Sequence, residues 1–176
     1  MVELMQVITI IINIYISFTE KTKRIYIATF LLNLAQLFMY LFNNDLTTTL
    51  IYCVITVRSI FCVYKNKFKT DLIPYLIINI QLIVGYFTME NSIQLISILI
   101  PCYSCWYLWF YNDTQKIRIG NIIANTAWLI YNLCTGLYII LIMRIITIVS
   151  NLVAYIRRKN ILLKLQYVRN YVEEKS

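Results

Sequence analysis

Residues 46–70, LTTTLIYCVITVRSIFCVYKNKFKT, form a long apolar run that stops abruptly at Lys65, Lys67 and Lys69. A run of this length approaches the roughly 20 residues a helix needs to cross a bilayer core. The same unit recurs in both directions along the chain. Lys21, Lys23 and Arg24 follow the first apolar run, Lys116 and Arg118 the fifth, and Arg157, Arg158, Lys159, Lys164, Arg169 and Lys175 the seventh. The turns after the second, fourth and sixth runs (around 43–45, 89–92 and 135–136) carry no Lys or Arg, and neither does the stretch before the first run. Only Arg58 and Arg144, of 16 basic residues, fall outside this pattern. Alternation of this kind is what the positive-inside rule produces for an odd number of crossings. It predicts seven spans, with the N-terminus outside and the C-terminus in the cytoplasm.

Composition agrees, with 60% hydrophobic and 14% charged residues. The spans are predicted at 3–19, 25–43, 47–64, 71–88, 92–111, 120–135 and 137–156. Helices satisfy their backbone groups locally in lipid, and the runs are too long and unbroken for barrel strands. An all-α membrane protein follows, a single membrane domain over 1–176. The net charge of +8 belongs to the cytoplasmic face, so nucleic acid is not an expected partner. The expected partners are the lipid bilayer and a small-molecule solute, with homo-oligomerisation left open. The first run begins at Glu3 without a basic n-region, and is expected to stay as a span and not be cleaved as a signal.

Five cysteines (Cys53, Cys62, Cys102, Cys105, Cys134) lie in or beside apolar runs. Cys102 and Cys105 form a C-x-x-C, but the chain has no His and no second pair, so packing residues in a helix interface are expected. No metal, cofactor or enzymatic activity is expected: no nucleophile–base pair or ligand cluster can be assembled.

The chain also carries an internal repeat. With Thr22-Lys23-Arg24-Ile25 laid over Thr114-Gln115-Lys116-Ile117, Asn33 falls on Asn125, Ala35 on Ala127 and Leu37 on Leu129. A one-residue slip at the following turn then brings Thr56–Ser59 onto Thr147–Ser150 and Tyr64 onto Tyr155. The expected architecture is therefore two parallel three-helix repeats joined by a linker helix (3+1+3). Repeat 1 covers about 1–67, the linker 71–88, repeat 2 about 92–158, and a basic amphipathic tail 159–176. An odd spacer helix keeps both units in one orientation, as in transporters with parallel repeats.

Polar residues inside spans are costly and turn toward the bundle interior or a water-filled path. Asn33, Gln36 and Tyr40 share one face of the second helix; Asn125, Trp128 and Asn132 share the equivalent face of the sixth. Gln6, Thr9 and Asn13, and Ser97, Pro101 and Ser104, make similar stripes on the first and fifth. These stripes read either as a polar seam that holds a solute or as ordinary interhelical hydrogen bonding. Arg58 and Arg144 lie within spans that contain no Asp or Glu. Arg58 can snorkel to its helix end. Arg144 lies deeper, where a guanidinium calls for carbonyls, water or an anionic ligand. Candidate solute-binding residues are Asn33, Gln36, Asn125, Trp128, Asn132, Arg144 and Arg58. Pro101 is a candidate hinge, or else a static kink. Trp106, Tyr107, Trp109 and Tyr111 read as an interfacial aromatic belt. The tail is expected to lie on the anionic inner leaflet.

The stretch Ile100-Pro101, Ser104-Cys105-Trp106, Lys116, Arg118, Trp128–Asn132, Gly136 and Ser150-Asn151 resembles the second half of the bacterial inner-membrane YgjV family. Val57-Arg58-Ser59 is similar to that family's arginine-containing segment in the first half. The resemblance implies a location in the bacterial cytoplasmic membrane, but no established activity. Its plan is similar to that of the SWEET, PQ-loop and PnuC-type facilitators, which implies movement of a sugar, amino acid or nicotinamide riboside through a central site. Pro101-Cys102 replaces the Pro-Gln of a PQ-loop protein, and Thr9 stands where a matching proline would be. The function expected is a facilitator of a small polar or anionic solute; the alternative is a non-transporting scaffold or assembly factor.

Overall fold

The computed structural model describes residues 2–44, 46–68, 70 and 72–173. These form seven α-helices and no strand. They are α1 (Val2–Phe18), α2 (Thr22–Phe42), α3 (Leu46–Val63), α4 (Leu72–Thr88), α5 (Gln94–Phe110), α6 (Thr114–Cys134) and α7 (Tyr138–Glu173), with a 3-10 turn at Lys65–Lys67. Three segments are long and apolar enough to cross a membrane: Thr22–Phe42, Leu46–Val63 and Ile140–Ile161. Leu4–Phe18, Leu72–Thr88 and Gln94–Phe110 are shorter apolar helices. α6 is more polar because it carries Lys116, Arg118, Asn121, Asn125 and Asn132.

Two boundaries differ from expectation. α6 starts at Thr114, well before position 120, because the Asp113 side chain accepts from the Gln115 amide at 2.8 Å. This cap satisfies one of the helix's first orphan N–H groups and draws Lys116 and Arg118 out of the loop into the helix. α7 runs on through Tyr138–Glu173, so the tail continues the last helix. Its side chains after Ile161, with Asp45 and Lys69 of the expected turns, lie outside the described residues. The α2–α3 and α6–α7 turns each contain a left-handed residue, Asn44 (φ 56°) and Gly136 (φ 73°). Past Gly136 the Leu137 amide donates to the Asn132 carbonyl at 2.9 Å, closing the end of α6.

Six helices close a ring in the order α1, α2, α3, α5, α6, α7 and back to α1; α4 packs outside it against α3 and α5. Polarity is arranged inside out. Leu4, Ile11, Leu76, Tyr86, Phe87 and Ile142 are exposed, whereas Thr9, Ser17, Gln36, Asn132 and Asn151 are buried. That distribution suits a hydrocarbon surround, which has no water to serve polar groups. Six buried positions of α3, Thr48, Ile51, Tyr52, Ile55, Ser59 and Cys62, share their spacing with Ile140, Met143, Arg144, Thr147, Asn151 and Ala154 of α7; Thr47, Thr49, Thr56 and Arg58 of α3 are buried as well. α5 and α6 approach closely at Gly120, where a Cβ would stand 2.7 Å from the Tyr107 ring. The expected aromatic belt is only partly present: Trp106 is exposed, but Tyr107 and Trp109 are turned inward and buried.

Candidate functional site: a central cavity with two guanidinium groups

A cavity of about 70 Å³ lies inside the ring, lined from α1, α2, α3, α5, α6 and α7. It is room for roughly five waters or a small solute at about 10–15 Å³ per water. Of the residues singled out from sequence, Asn33, Gln36, Arg58, Pro101, Asn125, Trp128 and Arg144 all line it. Asn132 does not. It accepts a long 3.5 Å hydrogen bond from the Tyr40 hydroxyl, and Tyr40 in turn stacks on the cavity-lining Tyr52 at 5.1 Å.

Arg144 is the best held of these groups. One Nη donates to Asn125 Oδ1 and the other to the Tyr52 hydroxyl, each at 3.2 Å. Its guanidinium carbon lies 5.2 Å from the Trp128 ring centroid, a favourable placement for a delocalised cation. Arg58 is buried and does not reach its helix end; its Nη1 donates to the Pro101 carbonyl at 3.1 Å. Pro101 itself sits inside an unbroken α5. Asn33 Nδ2 donates to Ser59 Oγ at 2.7 Å, and Asn125 Nδ2 to the Asn121 carbonyl at 2.8 Å.

The remaining hydrogen-bonding capacity is one-sided. Gln36 Nε2, Arg58 Nε and Arg144 Nε are buried without partners, and all three are donors. No Asp or Glu occurs among the described lining residues. A buried site with two cations and spare donors calls for a ligand rich in acceptor oxygens. Sequence reading missed Tyr52, Thr29, Tyr107 and Asn121, which also line the cavity. Asn121 could have been found, four residues before Asn125 on the same helical stripe.

A second polar system joins the helices at the end where basic residues collect. The Tyr26 hydroxyl donates to the Leu108 carbonyl at 3.1 Å and the Tyr111 carbonyl at 3.4 Å. Arg118, expected in a loop, is buried and donates through Nε to the Ser17 carbonyl at 3.0 Å and through Nη2 to the Thr19 carbonyl at 3.5 Å. Lys65 Nζ donates to the Leu108 and Trp109 carbonyls at 3.4 and 3.0 Å and lies 5.0 Å from the Tyr26 ring centroid. Burial draws its ammonium below the ordinary lysine pKa, with the Cys62 thiol acting the other way. Among the described residues the five cysteines are unbridged, and no group of three His, Cys, Asp or Glu could hold a metal.

An all-helical bundle with an apolar exterior, a polar interior and a cationic cavity defines an integral membrane protein. The chain belongs to the Imp-YgjV family of bacterial inner membrane proteins, whose family model matches residues 1–161. No curated protein and no solved structure is similar enough to match.

Proposed function

We propose that this protein is a facilitator that carries a small polar solute, preferentially an anion, through the central cavity between two parallel three-helix units. α1 to α3 form one unit, α5 to α7 the other, and α4 is the linker. The chain would cross the membrane seven times, with its N-terminus outside and its C-terminus in the cytoplasm.

Several features support the duplication. α1 and α5 each have 17 residues, and α2 and α6 each have 21. The buried pairs Tyr52–Arg144 and Tyr40–Asn132 both join positions 92 apart. The same offset relates the starts of α1 and α5, of α2 and α6, the left-handed Asn44 and Gly136, and six of the ten buried positions on α3 with buried positions on α7. An unbroken offset is thus favoured over the one-residue slip expected from identities alone. Neighbour relations also correspond: α1 on α2 and α5 on α6, α2 on α3 and α6 on α7, α3 on α5 and α7 on α1.

The cavity carries the functional reading, because two buried guanidinium groups face it without a carboxylate among the described lining residues. The sharing of one site by both units is the plan expected of a carrier with parallel repeats. The test is a melting-temperature screen of purified protein against small carboxylates, phosphates, amino acids and sugars, with Arg144→Gln as control. A solute that raises the melting point of the wild type, and not of the variant, supports the reading. A screen in which no solute does so overturns it.

One observation favours a non-transporting scaffold as the second reading. Much of the polar seam bonds back to its own helix: Asn13 to the Thr9 carbonyl, Ser17 to Asn13, Thr56 to Tyr52, Thr147 to Met143 and Asn151 to Thr147. Proteoliposomes separate the two, because a scaffold moves no solute.

A further inference from the structure

At the basic end of the bundle, α1, α6 and α7 enclose a second pocket of about 180 Å³ lined by Arg118, Arg157 and Arg158 together with Glu20, Phe18 and Ile161. We propose that this pocket binds a phosphate group, of the kind carried by an anionic phospholipid headgroup or by free phosphate. The proposal is independent of what the central cavity carries.

The first observation is the state of Arg118. It is only 3% exposed, and two of its nitrogens are spent on the end of α1, yet Nη1 is buried with no partner. A guanidinium with a spare N–H in a pocket is a donor awaiting an acceptor oxygen. The second is charge. Three guanidinium groups, Arg118, Arg157 and Arg158, line the pocket against one carboxylate, Glu20, which is paired with Arg158 at 3.0 Å, so the lining keeps an excess of positive charge. The third is position. Phe18 and Ile161, which line the pocket, are exposed apolar side chains. A ligand with an anionic head and a hydrocarbon body would satisfy both parts, and basic pockets between membrane helices take such headgroups.

Comparison with the opposite side of the bundle shows why this pocket is the stronger candidate. A pocket of about 480 Å³ there has Tyr26 where this one has Arg118, and Lys65 where this one has Arg157. Lys65 is already committed to two carbonyls and the Tyr26 ring. Lysine is also a point charge, whereas the arginine fork matches phosphate oxygens.

The test uses the full chain in phosphatidylcholine nanodiscs, with and without phosphatidylglycerol, and in detergent with inorganic phosphate. Melting temperature and lipid adducts by native mass spectrometry are read for the wild type, Arg118→Gln and the more exposed pair Arg157→Gln/Arg158→Gln. Lys21→Gln/Arg24→Gln, outside both pockets, controls for lost charge. Phosphatidylglycerol should raise the melting point and add a retained lipid in the wild type and the Lys21/Arg24 control, with both effects lost in the Arg157/Arg158 variant. If inorganic phosphate reproduces the stabilisation and competes with the lipid, the site stands and its source is soluble. Equal gains in all variants, equal loss in the control, or no gain from either source would overturn the proposal.

Discussion

Tyr26 and Arg118 are the fifth residues of α2 and α6, and each reaches across to carbonyl oxygens at the C-terminal end of another helix. Tyr26 closes on Leu108 and Tyr111 of the α5 end, Arg118 on Ser17 and Thr19 of the α1 end. The last carbonyls of a helix lack intrahelical partners, so a donor from a neighbour both satisfies them and joins the helices. A phenol does this without charge. A guanidinium does it with an N–H to spare.

Tyr26→Phe removes that donor and leaves the ring in place. A loss of about 1 kcal/mol is expected, the usual net worth of one buried hydrogen bond. Denaturation of the purified protein in mixed micelles measures it, and an unchanged midpoint would show that the clamp is not structural.

Tyr52→Phe tests the seat of Arg144. Losing the hydroxyl that accepts from Nη2 leaves a further buried guanidinium donor unsatisfied, at a cost of about 1–3 kcal/mol. Arg144→Lys should not restore wild-type behaviour, because an ammonium cannot bridge Asn125 and Tyr52 while stacking on Trp128. A lysine variant with wild-type melting and ligand response would remove the geometric argument.

Gly120→Ala should weaken the α5–α6 contact, since the new methyl would meet the Tyr107 ring, itself held by Asn121 at 2.6 Å. Overpacking of this kind costs about 1–3 kcal/mol. The double variant Gly120→Ala/Tyr107→Leu should recover part of the loss; failure to recover any would place the fault elsewhere.

The hinge reading of Pro101 separates stability from rate. Pro101→Ala supplies the N–H that Ser97's carbonyl lacks, so the melting point should hold or rise. Solute uptake into proteoliposomes should fall if bending at this position accompanies transport. Undiminished uptake would reduce Pro101 to a fixed feature of α5.

The proposed sidedness is open to labelling. In a background with Cys134→Ser, Asn91→Cys should react with an impermeant maleimide from outside intact cells, and Lys67→Cys only after the membrane is opened. Both positions are exposed between helices. The reverse pattern would invert the orientation.

The number and kind of the helices, the approximate bounds of α1 to α5 and the cavity position of six of the seven candidate residues were legible in the sequence. The reason is local: apolar run length sets which segments are helical in lipid, and helical spacing sets which polar groups share a stripe. Asn132 shows the limit, for it lies on the expected stripe but pairs with Tyr40 behind the cavity wall. Arg118 shows it in reverse. Its neighbours in sequence suggest a solvated turn, and only the cap at Asp113 and the end of α1 draw it inside.

Sequence alone thus determined an all-helical membrane chain with its charge gathered at alternate turns, because those properties depend on neighbours along the chain. Tertiary structure decided which donors were left over, among them Gln36, Arg58 and Arg144 at the centre, and Arg118 at the basic end. Whether a buried donor is satisfied depends on residues far away in sequence, and their distances exist only once the ring has closed.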